Sequence, residues 1–403
     1  MRNKQPLSGL RVIEMGSLIA GPFAAKTLGE FGAEVIKIEP PRLGDPLRSW
    51  RTPDGTTSMW WHVQARNKKS VAIDLRQPEG QELVRQLASE ADVVIENFRP
   101  GTLEKWGLDY ETLSVLNPAL VMLRISGYGQ TGPLRDLAGF GVVAEAMGGL
   151  RYITGMPGEV PVRPGISIGD SLSALHGVIG VLLALYHRAA NGGQGQMIDV
   201  ALYESVFNMM EGAVPEFDRF GVVRQPAGSG LPGIVPTNAY LCADRRFVLI
   251  AGNGDSIFKR LMKLIGRDDL GNSPELARNP GRVEQMERID AAISEWTARL
   301  PLEDALDALG QARVPAGKVF TIKDIMDDKH YAARGMLRTV QLNDGSKLKV
   351  PGVVPKLSAT PGNFEGGGPV RAVLRHCGAA AESIPNCHVC RIEARDGFLR
   401  AVD

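Results

Sequence analysis

The stretch LRVIEMGSLIAGPFAAKTLGEFGAEVIKIE (residues 10–39) decides the fold. LRVIEM is short and almost wholly apolar, as a buried strand requires, and GSLIAGP supplies a turn. Pro22 suits the first position of a helix, and Gly32 stops that helix before a second strand, AEVIKIE. The unit then recurs. SVAIDL (residues 70–75) precedes a helix opened by Pro78, DVVIEN (residues 92–97) follows it, and ALVMLRISG (residues 119–127) comes after another helical stretch. Short apolar strands alternating with helices predict an α/β protein. Its parallel sheet is covered on both faces and takes ligands near the carboxyl ends of the strands.

Past Gly139 the helical segments lengthen: GFGVVAEAMGGL, then GISIGDSLSALHGVIGVLLALYHR (residues 165–188), then QMIDVALYESVFNMMEGA, a strand running into a helix. Residues 221–236 are rich in Gly and Pro and read as a linker. PTNAYLCADRRFVLIAG predicts a hairpin turning at residues 243–245, helices follow from Ser256 and Arg282, and VQLNDGSKLKVPG predicts a second hairpin at Asp344 and Gly345. The expected organisation is a large domain over residues 1–220, the linker, a smaller α+β domain over residues 237–320, and a return segment with an atypical tail over residues 321–403. No internal repeat is found, and the segment from PGNFEGGGPV onward has little periodicity.

Composition narrows the function. Among 403 residues, 46 basic side chains balance 45 acidic ones, which argues against a wholesale nucleic-acid or polyanion binder. MRNKQPLSGLRVIEM has no apolar run of signal-peptide length, and the most apolar run, residues 178–186, is too short to span a bilayer, so no membrane association is expected. Four cysteines, three of them at positions 377, 387 and 390, do not form a disulfide framework and fit a reducing cytoplasm. Cys387 and Cys390 have the spacing of a redox or zinc motif, but no second such pair accompanies them.

GSLIAGP is not the GxGxxG cradle of a nicotinamide enzyme, although a helix start can still attract an anion. Lys37, Arg42, Arg48, Lys68, Lys69, Arg76, Arg99 and Lys105 cluster around the predicted strand ends, where they are either phosphate ligands or solvated surface charges. None of the six histidines has a metal spacing, and no metal site is expected; Ser171 and Ser205 lack the GxSxG elbow of a serine hydrolase. Asp170 stands where a glycine-containing segment enters a long apolar helix. Local sequence leaves two readings open: a helix N-cap, or a carboxylate held ionised by first-turn amides and able to act as a nucleophile.

Several segments resemble the family III coenzyme A transferases, the CaiB/BaiF group that includes formyl-CoA transferase and carnitine CoA-transferase. They are residues 7–50, NKKSVAIDLRQPEG, ENFRPGTLEKWGLDYETLSVLNPALV, ISGYGQTGPLRDLAGF and the Asp170 segment, and the resemblance runs over residues 7–361. It implies a large Rossmann-like domain, a small domain and a homodimer of interlinked ring-like protomers. It also implies a transferase that moves CoA from an acyl-CoA to a free carboxylic acid, with CoA thioesters as substrates and no tightly bound cofactor. At the position of Asp170 such enzymes carry the aspartate that becomes first a mixed anhydride and then an aspartyl-CoA thioester. The positions corresponding to CoA contacts are Ile19, Ala20, Ile73, Arg76, Asn97, Phe98, Arg99, Lys105, Gly127 and Tyr128; the family's basic residue after the second strand falls at Pro41, with Arg42 beside it. Gly252, Asn253 and Gly254 match a glycine-rich lid, and the lid together with GIVPTNAY resembles members that use succinyl-CoA and dicarboxylates.

The rival within the superfamily is an α-methylacyl-CoA racemase, which needs a histidine where Phe140 stands; a phenyl ring exchanges no proton. A non-catalytic CoA-binding protein is the alternative from another class. The tail RAVLRHCGAAAESIPNCHVCRIEARDGFLRAVD departs from the family's usual terminal helix.

Overall fold

The computed structural model describes residues 4–55, 57–370, 372–373, 391–395 and 398–402. Two compact units divide the chain: the first takes residues up to 150, residues 164–211 and residues from 330 onward, and the second takes residues 151–163 and 212–329.

The first unit is built on a parallel sheet. Its elements in chain order are β1 (Arg11–Glu14), α1 (Ala20–Glu30), β2 (Glu34–Glu39), β3 (Lys68–Ala72), α2 (Pro78–Ser89), β4 (Val93–Glu96), β5 (Val121–Ser126), α3 (Gly141–Met147), α4 (Ile168–Ala190), β6 (Met197–Ala201) and α5 (Leu202–Phe207). The strands lie in the order β3-β2-β1-β4-β5-β6, all parallel. That is the doubly wound arrangement, whose order reverses between β1 and β4. The two-residue strand Ala372–Val373 adds in parallel to the free edge of β3.

Although the strands read as continuous apolar runs, the pleat sorts them onto two faces. Val12, Ile95 and Leu123 join Ala24 and Leu28 of α1 and Val178 and Val181 of α4 in one core, while Ile13, Val94 and Met122 join Val84 of α2 and Leu103 in the other.

Two boundaries differ from the expected ones for physical reasons. Helix α1 begins at Ala20, so Pro22 takes its third position, where a missing N–H is as harmless as at the first. Strand β3 begins at Lys68 because that lysine, which reads as a surface residue, has its ammonium buried against Glu14.

Helix α4 has 23 residues, enough by length and composition to cross a membrane and longer than its most apolar run suggested. Its inner face belongs to the core: Gly177 lies against Leu123, Gly180 against Ile198, and Ala174, Val181 and Ala184 are buried. At its far end Arg188 donates to the Ala119 carbonyl at 2.8 Å and to Asp92 at 2.7 Å. The outer face leaves Leu175, Ile179, Leu182, Leu183 and Tyr186 exposed.

In the second unit the antiparallel pair β7 (Thr237–Leu241) and β8 (Phe247–Ala251) turns where the sequence places a hairpin. Helices α6 (Asp255–Leu264), α7 (Met286–Thr297) and α8 (Leu302–Gln311) follow, and β9 (Ala316–Lys318) completes a three-stranded sheet. Val248, Ile250, Phe258, Leu261, Ile289, Ile293 and Leu309 form its core. Back in the first unit, the predicted hairpin β10 (Leu337–Gln341) and β11 (Lys347–Pro351) packs Val340 and Val350 against Phe31 and Phe364. Cys377, Cys387 and Cys390 lie outside the described residues.

Gly195 donates its N–H to the Pro118 carbonyl at 2.8 Å just before β6. A Cβ there would overlap the Leu120 carbonyl oxygen and approach the Ala119 carbonyl carbon to 2.6 Å. Both atoms are backbone and cannot rotate away. Gly195→Ala is expected to destabilise the fold by about 2 kcal/mol or more, measured by urea denaturation at constant slope.

Candidate active site

Five loops meet at the carboxyl ends of β1 to β5, and the first of them, residues 16–19, stands at the switch point between β1 and β4. Its shape is fixed from both sides. Asn97, just after β4, accepts from Ser17 N at 2.8 Å and donates to the Ser17 carbonyl at 2.9 Å. A Cβ on Gly16 would sit 3.0 Å from Asn97 Oδ1 and 3.1 Å from the Gly21 Cα, so both glycines serve close approach. On the other side, Leu18 holds φ at +63° and donates its N–H to Asp45 Oδ1 at 3.1 Å. A leucine in the left-handed region costs about 1–2 kcal/mol, which these bonds offset.

Asp45 belongs to a buried charge network. Lys37 Nζ lies 2.8 Å from Glu14, 2.8 Å from Asp45 and 2.8 Å from the Gly16 carbonyl, with its side chain 1% exposed. Lys68 Nζ contacts Glu14 at 2.7 Å and the Pro22 carbonyl at 2.7 Å. Glu39 receives both Arg48 nitrogens at 2.7 Å, the Ser70 hydroxyl, and the Asp45 N–H at 2.8 Å. Three acids therefore face three bases. Burial pulls the Lys37 ammonium down but is outweighed by Glu14 and Asp45, so its pKa rises; for Lys68 burial wins and brings it to about 8. This corrects the basic-cluster reading: Lys37, Lys68 and Arg48 are neither surface charges nor spare phosphate ligands, because internal carboxylates already occupy them. Lys69, exposed at the start of β3, pairs with Glu34.

The remaining sequence candidates divide by exposure. Arg42, Arg76 and Arg99 are exposed on the loops after β2, β3 and β4, and Lys105 is exposed on the short helix Thr102–Trp106, with Arg76 held by both Asp74 oxygens at 2.8 and 2.9 Å. Ile19, Ala20 and Ile73 are buried, which leaves their backbone for any ligand. Phe98 meets Trp106 edge to face at 5.4 Å. After β5, Gly127 passes so near Gly139 that a Cβ on either would lie 2.8 Å from the other's Cα, and Tyr128 covers Gly139. Gln130 N donates to Asp199 of β6 at 2.8 Å, which fastens this loop to the sheet.

That crossing delivers α3 to the start of α4. The N-cap of α4 is Ser167, so Asp170 is the third helical residue and the capping reading is set aside. Its half-buried carboxylate lies over the Cα of Gly141, the first residue of α3: a Cβ on Gly141 would overlap Asp170 Oδ2 and come within 3.0 Å of its Cγ. Gly169 in turn faces the Gly141 carbonyl and Glu145, a wholly buried carboxylic side chain. Ser171 and Ser173 donate their hydroxyls to the carbonyls one turn back, and His176 Nδ1 lies 3.1 Å from the Leu172 carbonyl, so none of the three competes as a nucleophile. Phe140 occupies the N-cap of α3 and is 64% exposed, with no proton to give.

The glycine-rich loop of the second unit runs from β8 into α6. Gly252 N donates to the Pro236 carbonyl at 2.9 Å, and the Asn253 carbonyl accepts from the buried Arg282 at 2.7 Å. Sequence reasoning gives no site role to Arg282, which it reads only as a helix start, nor to Asp45 and Gly141. Only Asp45 carries a local signal, the Asp-Pro pair at which its carboxylate accepts from Leu47 N at 2.8 Å. Among the described residues no cluster of potential metal ligands is found.

A family model described as CoA-transferase family III matches residues 7–371. The chain is 47% identical to a succinyl-CoA–D-citramalate CoA-transferase of Chloroflexus aurantiacus over 369 residues, 91% of this chain and 92% of that protein. It is 43% identical to the alpha subunit of a succinyl-CoA–L-malate CoA-transferase of Chloroflexus aurantiacus, over 90% of this chain and 86% of that one. A crystal structure of a CAIB/BAIF family protein from Brucella suis superposes with a TM-score of 0.79 at 34% identity, covering 92% of this chain and 97% of that one.

Two outcomes are expected. Gly141→Ala displaces the Asp170 carboxylate without a backbone clash, so CoA transfer should fall by ~100-fold while the thermal midpoint stays near that of the unaltered protein. Burial raises the Glu39 pKa, but Arg48 and Lys37 bring it down from 4.5 to about 2. A carboxyl lowered on folding stabilises the fold above the unfolded value and loses that contribution as pH falls through the folded one. Between pH 4.5 and 2 the protein should thus lose about 3 kcal/mol through Glu39, and Glu39→Gln should flatten this limb of the stability profile while destabilising at neutral pH.

Proposed function

The chain belongs to CoA-transferase family III, and on that premise we propose that it moves CoA from succinyl-CoA to a small 2-hydroxy dicarboxylic acid through covalent catalysis at Asp170. The observation that carries the role of Asp170 is its placement: a half-buried carboxylate in the first turn of a helix whose N-cap position is held by Ser167, lying over a residue with no side chain. The first-turn amides and helix dipole favour its ionised form, which is the nucleophilic one. The choice of substrates is supported by the names of the two similar Chloroflexus proteins, both of which use succinyl-CoA and a hydroxylated dicarboxylate.

In this reading an Asp170 oxygen attacks the thioester carbonyl and expels CoA thiolate, leaving a succinyl–aspartyl anhydride. The thiolate attacks the aspartyl carbonyl and releases succinate, which leaves CoA on Asp170 as a thioester. The acceptor carboxylate attacks that thioester, CoA thiolate leaves again, and its attack on the acceptor side of the new anhydride frees Asp170. No bond energy is lost to solvent, and the exchange balances without a further reactant. Water reaching either intermediate would hydrolyse it; the loop Gly252-Asn253-Gly254 is our candidate for keeping it out. The exposed apolar stripe Leu175, Ile179, Leu182, Leu183 and Tyr186 on Asp170's helix supports association with a second copy of the chain. CoA thioesters as substrates and a buried free thiol at Cys242 fit a cytoplasmic enzyme.

The test is chemical trapping. Incubation with succinyl-CoA, followed by hydroxylamine or borohydride and peptide mass spectrometry, should find the modification on Asp170. Asp170→Ala should lose ~10³-fold or more in kcat. An unmodified Asp170 with full activity in the alanine variant defeats the assignment.

A further inference from the structure

We propose that Asp45 is a positioning residue for acyl-CoA recognition: through the Leu18 amide it holds the turn at residues 16–19 in its binding shape, so the buried charge network sets CoA affinity rather than the chemical step. This rests on the CoA-transferase reading above. The argument starts from Leu18. Its φ of +63° is a conformation that only a glycine adopts freely, and the turn that contains it stands at the mouth of the switch-point crevice. Asn97 fixes Ser17 but leaves the Leu18 amide to Asp45 alone: the bond of 3.1 Å to Oδ1 is the one contact described for it.

Asp45 is itself held where it can do this. Its Oδ2 lies 2.8 Å from Lys37, its Oδ1 also accepts from Leu47 N at 2.8 Å, and its own N–H donates to Glu39 at 2.8 Å. Lys37 meanwhile donates to the Gly16 carbonyl, so the network touches the turn at both ends. An asparagine there has one oxygen for two donors: turned to the Lys37 ammonium, the stronger donor, it sets its NH2 against the Leu18 N–H, so Leu18 relaxes to negative φ and the peptide groups on either side rotate. The amides that a CoA phosphate would meet at the start of α1 then point elsewhere.

The experiment compares the full chain with Asp45→Asn, Leu18→Val and the double variant Asp45→Asn/Leu18→Gly. CoA binding is measured by calorimetry, and KM and kcat are measured with succinyl-CoA. Asp45→Asn should weaken CoA binding and raise the succinyl-CoA KM roughly tenfold, the strain of one left-handed leucine expressed as an equilibrium constant. Its kcat and the acceptor KM should move by less than about threefold. Adding Leu18→Gly should recover most of the loss, since glycine takes the same φ without strain; a merely structural role for Asp45 predicts no such rescue. Leu18→Val leaves every charge in place and should raise the same KM because a β-branched residue tolerates this φ less, which keeps the test alive if Asp45→Asn does not fold. Unchanged binding in Asp45→Asn and Leu18→Val, a fall in kcat at constant KM, or failure of the glycine rescue overturns the proposal. If the unaltered chain binds no CoA, the function reading falls and takes this one with it.

Discussion

One ammonium group, that of Lys37, sits wholly inside the sheet's carboxyl edge and must be neutralised there. An unpaired charge at such depth is costly enough to unfold a domain of ordinary stability. Glu14 and Asp45 each meet it at 2.8 Å, Glu14 goes on to Lys68, and the Asp45 amide goes on to Glu39 and through it to Arg48. Four separate segments of chain, β1, β2, the loop after β2 and the start of β3, are thereby fixed relative to one another. The first βα turn inherits its shape from that agreement, and with it the crevice to which the candidate CoA residues belong.

Nothing in this network uses hydrophobicity, and that explains its invisibility in the sequence. The strands were legible because LRVIEM, AEVIKIE, DVVIEN and ALVMLRISG carry the apolar pattern that a sheet covered on both faces demands, and the doubly wound topology follows from their alternation with helices. Lys37 and Lys68 offered no such signal. A lysine inside a strand reads as an edge or surface residue until its counter-ion is located, and Glu14 and Asp45 lie 23 and 8 positions away in sequence from Lys37. Hence the sequence places the start of β3 two residues late, and it reads the basic cluster as phosphate ligands or solvated surface charges rather than as an internal network.

The candidate nucleophile was partly legible. Asp170 interrupts an otherwise apolar approach to a long helix, which marked it, yet the cap and the nucleophile leave the same trace in local sequence. What separates them is Gly141, 29 residues earlier, whose missing side chain makes room for the carboxylate. The close passage of Gly127 past Gly139 is of the same kind: it brings α3 to α4 by letting two backbones touch. Such glycines act through the volume they leave empty, and only the folded chain reveals which neighbour fills it.

Helix α4 also ties chemistry to architecture over distance. Asp170 rides on its first turn, and Arg188 at its other end is tied to Asp92 and to the Ala119 carbonyl at the amino edge of the sheet. A rod of 23 residues spans about 35 Å, and a stiff lever anchored at its far end cannot tilt without swinging the tip. A small slip at Arg188 would therefore be magnified at Asp170, the candidate nucleophile, so the distant anchor constrains that carboxylate from the opposite edge of the sheet.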